Sequence, residues 1–175
     1  FRPCDIVETA EAWELACLSK KTPSIIALSR QGLPQLRIEN RKENLSEAGG
    51  YILSEPAKDP IVTLMASGSE VMIAEEARTN LESMSVPTRL VSVPCLDRLL
   101  KQSHSFIEKL RGPSKVIIAI EAGVENGWSK IIGLNGHFIG MNSFGASAPG
   151  ETLYKYFGIT SQAIIDLAKN QLKQP

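Results

Sequence analysis

The feature that most constrains this chain is a series of short apolar runs separated by longer amphipathic stretches. The runs cover residues 24–29, 51–54, 61–66, 89–93, 115–120 and 137–141. Runs of this length, rich in Ile, Val and Leu, read as strands buried in a sheet, and they are too short to cross a bilayer. The stretches between them have helical spacing. Ile73, Ala77, Leu81 and Met84 fall on one face, residues 96–110 read as mostly helical, 128–134 and 151–157 as helical, and Ile164, Ile165, Ala168 and Leu172 are in phase within a helix over 161–174. Strands alternating with helices need crossover connections. The expectation is therefore an α/β three-layer sandwich with a mostly parallel sheet, and 175 residues suffice for its core.

A different piece precedes this unit. Asp5 stands where a helix N-cap would, and Glu8 is spaced to reach back to the N–H of Asp5. Ala10, Trp13, Ala16 and Cys17 recur at helical spacing and are expected to face a core. Pro23 follows this helix, and residues 24–29 are expected to form a buried strand with Ile25, Ile26 and Leu28 inside. Residues 31–47 are polar, with Gly32 and Pro34 near their start, and read as a loop or linker. That puts a domain boundary near residue 47, with a new unit opening at Gly49-Gly50.

Charge and composition remove several functions. The 19 basic and 19 acidic residues cancel and form no basic stripe, so no nucleic-acid partner is expected. The cysteines, Cys4, Cys17 and Cys95, are odd in number and match no zinc or redox spacing. This fits a reducing compartment, and a cytoplasmic location is expected. With only His104 and His137, a protein-built metal site is hard to assemble. His104 lies in a polar stretch and is expected to be solvated, whereas His137 opens a strand and is expected to be buried. No signal peptide and no membrane span is read, and a start at Phe1 in place of Met is expected of a fragment.

Four places invite a functional reading. Ser67-Gly68-Ser69-Glu70 joins a buried strand to a helix and could hold an anion. A capping box between Ser67 and Glu70 is favoured, because the Glu70 carboxylate would take the positive helix end and repel a phosphate. Without a following Lys or a complete Gly-x-Gly-x-x-Gly, neither a nucleotide loop nor an NAD-binding domain is supported. Glu121 follows a strand and is read as a site residue, a cap for the next segment or a partner across an interface; no His or Lys converges on it in sequence. The small residues of 144–149 are read as packing or subunit contact. Arg30 follows the apolar run 25–28 and precedes a Gly/Pro loop. In an open α/β sheet ligands gather beyond the C-terminal strand ends, where a planar guanidinium suits phosphate. The alternative for Arg30 is a solvated or ion-paired side chain.

These segments carry a family resemblance. Residues 24–34, SIIALSRQGLP, resemble the transketolase stretch usually written PTALALSRQNLP. Phe1-Arg2-Pro3-Cys4-Asp5 with Glu8-Thr9-Ala10 is similar to the family's WRPxD…E-(T/S)-A, Gly49-Gly50-Tyr51-Ile52-Leu53 to GGYVL, and Ala66-Ser67-Gly68-Ser69-Glu70-Val71 to ATGSEV. Residues 89–94 resemble RVVSMP, Glu121-Ala122-Gly123, Gly127-Trp128, 133–136 and 139–141 match a further block, and 143–149 and 157–160 resemble FGxSAP and FGxT. The matches run in order along the whole chain. Gly32 departs from the family's Asn, and Ser103-His104-Ser105 from a Tyr-containing segment. Related deoxyxylulose-phosphate synthases place a YPRG-like sequence at Ser29-Arg30-Gln31.

The resemblance implies a C-terminal fragment. Residues 1–47 would be a partial βα piece ending the aminopyrimidine-binding domain plus a linker, and 48–175 the C-terminal domain. The parent enzyme would be a homodimer moving a two-carbon ketol unit between sugar-phosphate substrates of the pentose phosphate pathway, with thiamine diphosphate and Mg²⁺ (or Ca²⁺). In the family the catalytic residues, the cofactor-activating glutamate and the metal ligands lie upstream, so this stretch would hold no cofactor and be inactive alone. Of the functional set only the Arg of SRQ carries over, onto Arg30, as the substrate-phosphate-binding residue. The alternative is a stand-alone α/β interaction or regulatory module, against which a start inside another domain's last βα unit counts.

Overall fold

A computed structural model of the chain describes residues 1–38 and 41–173. Helix α1 (Ile6–Leu18) comes first, and an irregular stretch then leads to a 3-10 turn, Leu45–Ala48. After it come β1 (Tyr51–Ser54), β2 (Val62–Ala66), α2 (Glu70–Ser83), β3 (Thr88–Ser92), α3 (Leu96–Leu99), α4 (His104–Arg111) and β4 (Val116–Ile120). The chain ends with α5 (Trp128–Ile132), β5 (His137–Ile139), α6 (Gly150–Tyr156) and α7 (Ser161–Leu172). The predicted end of the last helix at Gln174 lies outside the described residues, as do Glu39 and Asn40 of the predicted linker.

The five strands form one sheet in the order β1-β3-β2-β4-β5. β1 runs antiparallel to β3 and all other pairs are parallel, with Leu64 beside Leu90 on one side and Ile118 on the other. Side chains alternate across the sheet, so it carries two cores. Val62, Leu64, Ala66, Leu90, Ile118 and Ile120 pack on α2 and α7. Met65, Val91 and Ala119 pack on α3, α4 and α5 through Leu99, Leu110, Trp128 and Ile131. Each fully buried Leu or Ile here contributes about 1.5–3 kcal/mol. The expected three-layer, mostly parallel α/β sandwich is what forms.

Two expectations fail, each for a physical reason. Residues 24–29 are not a buried strand: they run extended but unpaired with the sheet, with Ile25 81% and Leu28 56% exposed. Among the described residues their only backbone partner is Phe1, whose N donates to Ile25 O at 2.7 Å and whose O accepts from Ala27 N at 2.9 Å. On α1 the expected apolar face is turned outward, with Trp13 57% exposed, while Glu8, Glu11 and Ala12 are buried. The stretch 96–110 is mostly helical as expected, in two pieces, because Ser103 interrupts it and caps α4 by accepting from Phe106 N. A smaller difference follows the same pattern: Met84 is 45% exposed at the end of α2; Phe144 is 97% exposed, which leaves subunit contact as the open half of the reading of 144–149.

Gly49 explains how β1 starts against α3. Its φ is 89°, and a Cβ there would stand 2.3 Å from Leu99 N and 2.6 Å from Cys95 O, both rigid backbone atoms. Gly158 also has positive φ, 71°, but faces open space. Gly49→Ala should therefore cost more than about 2 kcal/mol, and Gly158→Ala only the left-handed penalty of about 1 kcal/mol. Urea unfolding of the two variants checks this; equal losses would remove the close approach as the reason for glycine at position 49.

Candidate functional site

β2 and β4 lie side by side, and the chain leaves β2 towards β3 on one side before crossing back to β4 on the other. The gap beyond their C-terminal ends is where open α/β sheets take ligands. β2 leads into Ser67 there, β4 leads into Glu121, and α2 opens with Glu70, which is fully buried. The occupant is Arg2. Its Nη1 donates to Ser67 Oγ at 2.7 Å and to Glu121 Oε1 at 2.5 Å, and its Nη2 donates to Glu70 Oε2 at 2.7 Å. Its backbone is pinned too, since Arg2 N donates to Pro94 O at 2.7 Å and Arg2 O accepts from Gly68 N at 2.9 Å.

The carboxylates are saturated. Glu70 also accepts from Ala122 N at 3.0 Å, Tyr154 Oη at 2.6 Å and Ser69 Oγ at 2.7 Å, and Glu121 Oε2 accepts from the Trp128 indole N–H. Burial, reinforced by the charge of Glu70, pushes the Tyr154 phenol up to about 12, so it stays a donor at physiological pH. The expected capping box between Ser67 and Glu70 does not form: the Ser67 hydroxyl donates to Glu121 at 2.9 Å, and the side chain of Ser69, at the cap position, makes no capping bond. Two carboxylates against one guanidinium also repel a diphosphate, so the cofactor implied by the resemblance does not fit here. Among the described residues no group of three or more His, Cys, Asp or Glu could hold a metal ion, and no helix is long and apolar enough to cross a membrane.

Residues 49–160 match the family described as the transketolase-like TK C-terminal domain. The chain belongs to the transketolase family. The Rhodobacter capsulatus transketolase is 43% identical over 178 residues, covering 98% of this chain and 26% of that protein. The solved Leishmania mexicana transketolase superposes with a TM-score of 0.83 at 34% identity, over 98% of this chain and 25% of that one. The Pichia stipitis transketolase in complex with sedoheptulose-7-phosphate gives 0.82 at 32% identity, over 98% of this chain and 24% of that one. The chain thus spans about a quarter of the length of the transketolases it matches.

Arg30, the transketolase-like phosphate ligand of the sequence reading, is exposed and bonds to no described residue. The structure does not bring it to Glu121. Instead Gln31, the next residue, seats on the start of α6: a Cβ on Gly150 would meet Gln31 Nε2 at 2.3 Å. His104 is solvated as expected, with its side chain 86% exposed, and His137 is half-buried rather than buried. Sequence reasoning missed Arg2 as a site residue, because its partners lie 65, 68 and 119 residues away. The only local signal was its place in the Arg-Pro motif.

A second polar cluster binds α1 to the following chain. Asp5 Oδ1 caps α1 by accepting from Glu8 N at 2.9 Å, and Oδ2 accepts from Gln35 Nε2, Leu36 N and Arg37 N. Glu8 reaches past the N–H expected of it to Cys4 N at 2.7 Å, and accepts from Tyr51 Oη at 2.8 Å and Ser92 Oγ at 2.5 Å. Glu11 pairs with Arg37, half of it through a 3.1 Å bond from Nη1, and accepts from Leu45 N, Ser46 N and Ser46 Oγ. Burial works against the Glu11 carboxylate, but Arg37, Ser46 and Leu45 together outweigh it and hold its pKa below the ordinary 4.5. For Glu8 burial prevails over its donors and raises the pKa above 4.5.

The two glutamates have opposite linkage. A lowered folded pKa adds stability above the unfolded value, and that stability is lost as pH falls through the folded pKa. A raised one removes stability as pH climbs from the unfolded value through the folded one. Glu11→Gln should therefore cost about 1.5–3 kcal/mol at neutral pH and flatten the loss of stability below the ordinary glutamate range. Urea midpoints across an acid pH series measure this, and an acid limb as steep as the original would show that Glu11 does not supply it.

Proposed function

We propose that this chain is the C-terminal part of an enzyme that transfers a two-carbon ketol unit between sugar phosphates, using thiamine diphosphate and Mg²⁺ (or Ca²⁺), and that Arg30 binds the substrate phosphate. The observation that carries this reading is collinear coverage: 98% of the chain aligns with a transketolase of which it spans 26%. A sugar phosphate as substrate class is supported by the similarity to the Pichia stipitis transketolase solved with sedoheptulose-7-phosphate. Arg30 suits the role because its guanidinium is exposed and has no partner among the described residues. On this reading residues 1–47 end the preceding domain, 48–175 form the C-terminal domain, and the isolated chain neither holds the cofactor nor catalyses. A homodimer belongs to the same reading, supported by exposed Ile6, Trp13, Leu18, Ile25 and Leu28, which need cover from further protein. So does a cytoplasmic location, supported by three free cysteines.

Limited proteolysis tests the boundary. Trypsin should cut the exposed Lys20, Lys21 and Arg30 early, spare Arg37, which is only 7% exposed and backbone-bonded to Asp5, and leave a resistant core beginning near the exposed Lys42. Early cuts within 51–168 would refute an independent C-terminal unit.

Arg30→Ala in the intact enzyme tests the site. A charge-assisted hydrogen bond is worth about 1.5–3 kcal/mol, so kcat/KM for a phosphorylated sugar should fall roughly ten- to a hundredfold. The phosphate is remote from the reacting bond and is held alike in ground and transition states, so the loss should appear mainly as a raised KM. Hydroxypyruvate, a ketol donor without phosphate, should lose far less. Arg30→Lys should recover only part, because an ammonium lacks the planar fork. Equal losses on both substrates would defeat the assignment.

A further inference from the structure

Arg30 sits on an exposed stretch without sheet partners, yet its neighbours on both sides meet parts of the chain that bond to Glu70 or lie next to a residue that does. On the N-terminal side, residues 25 and 27 pair with the backbone of Phe1, at 2.7 and 2.9 Å. Phe1 is fixed by its neighbour Arg2, whose backbone is pinned to Pro94 and Gly68 and whose Nη2 donates to Glu70 Oε2. On the C-terminal side, Gln31 sits against Gly150 and shares a 250 Å³ cleft with Tyr154. Tyr154 is fixed by donating to Glu70 Oε1 at 2.6 Å. The two oxygens of one fully buried carboxylate therefore bond Arg2 and Tyr154, one near each end of the Arg30 segment.

We propose that Arg2, Glu70 and Tyr154 form a positioning device for Arg30, with the Glu70 carboxylate as its hub. This rests on the reading of Arg30 as the phosphate ligand. None of the three touches the substrate in this account. They act by fixing the backbone on either side of Arg30, so that its guanidinium meets a phosphate already oriented and little ordering is left for binding to supply. Without either anchor, residues 28–31 have no regular secondary structure to hold them, and phosphate binding must then order the segment.

The device differs from a merely structural cluster in what it changes. Loss of general stability lowers the amount of folded enzyme and affects every substrate alike. Loss of positioning raises KM for phosphorylated substrates in particular and leaves the melting temperature a poor guide to the defect. It also does so only while Arg30 is present, because mutations acting through one residue are not additive with its removal.

The test is a double-mutant cycle in the intact enzyme. Tyr154→Phe keeps the ring in its packing and removes one hydroxyl. Arg2→Met removes the charge but strands Glu70 and Glu121, so it is the variant at greater risk of not folding. For Tyr154→Phe, the ratio of kcat/KM for a phosphorylated sugar to that for hydroxypyruvate should fall about two- to tenfold, through KM. In the Arg30→Ala background the same change should shift that ratio less than twofold. An equal fall in both backgrounds, or no fall beside a normal Arg30→Ala effect, would overturn the positioning role. If instead Arg30→Ala leaves the ratio unchanged, the phosphate assignment itself fails, and that result is distinguishable from the others.

Discussion

Glu70 is the constraint on which the molecule turns. A carboxylate with no exposure is costly unless a cation and further donors satisfy it. Here it lies at the crevice between the two central strands, and the cation comes from Arg2, 68 residues earlier in the chain. With Glu121 and Ser67 on the same guanidinium, the N-terminal segment is tied into the α/β unit although it contributes no strand to the sheet. The crevice that many doubly wound sheets leave for a ligand is thus occupied by a residue of the chain itself.

The same logic governs α1. Its inward face carries Glu8 and Glu11 in place of the expected Ala and Trp, because the surface it meets offers donors: Tyr51 and Ser92 for one, Arg37, Leu45 and Ser46 for the other. The outward face keeps Ile6, Trp13 and Leu18 in solvent. A helix docked by carboxylates and apolar on its free side fits a chain that spans about a quarter of its relatives' length, since each face can then meet different protein.

Much of the α/β unit was legible locally. Runs at 61–66 and 115–120 are apolar throughout, and both became central strands buried over nearly their whole length. Ile73, Ala77 and Leu81 predicted the buried face of α2 correctly because helical period and burial coincide there. Residues 24–29 misled for a reason of the same kind: an apolar run signals burial but does not say against what, and among the described residues only Phe1 pairs with its backbone. The Ser67–Glu70 capping pattern misled because a local bond competes with distant ones, and Arg2, Tyr154 and Ala122 together outweigh a single cap.

By itself the sequence determined the strand and helix alternation, hence the layered parallel sheet, and the ordered motifs that mark the transketolase family. These depend on periodicity and on short segments, which are properties of neighbours in the chain. Only the tertiary structure decided where Glu8, Glu70 and Glu121 find their partners and which residue occupies the switch-point crevice. Buried charges are settled by partners that lie far off in sequence, and no local pattern records that the guanidinium satisfying a carboxylate at position 121 is at position 2.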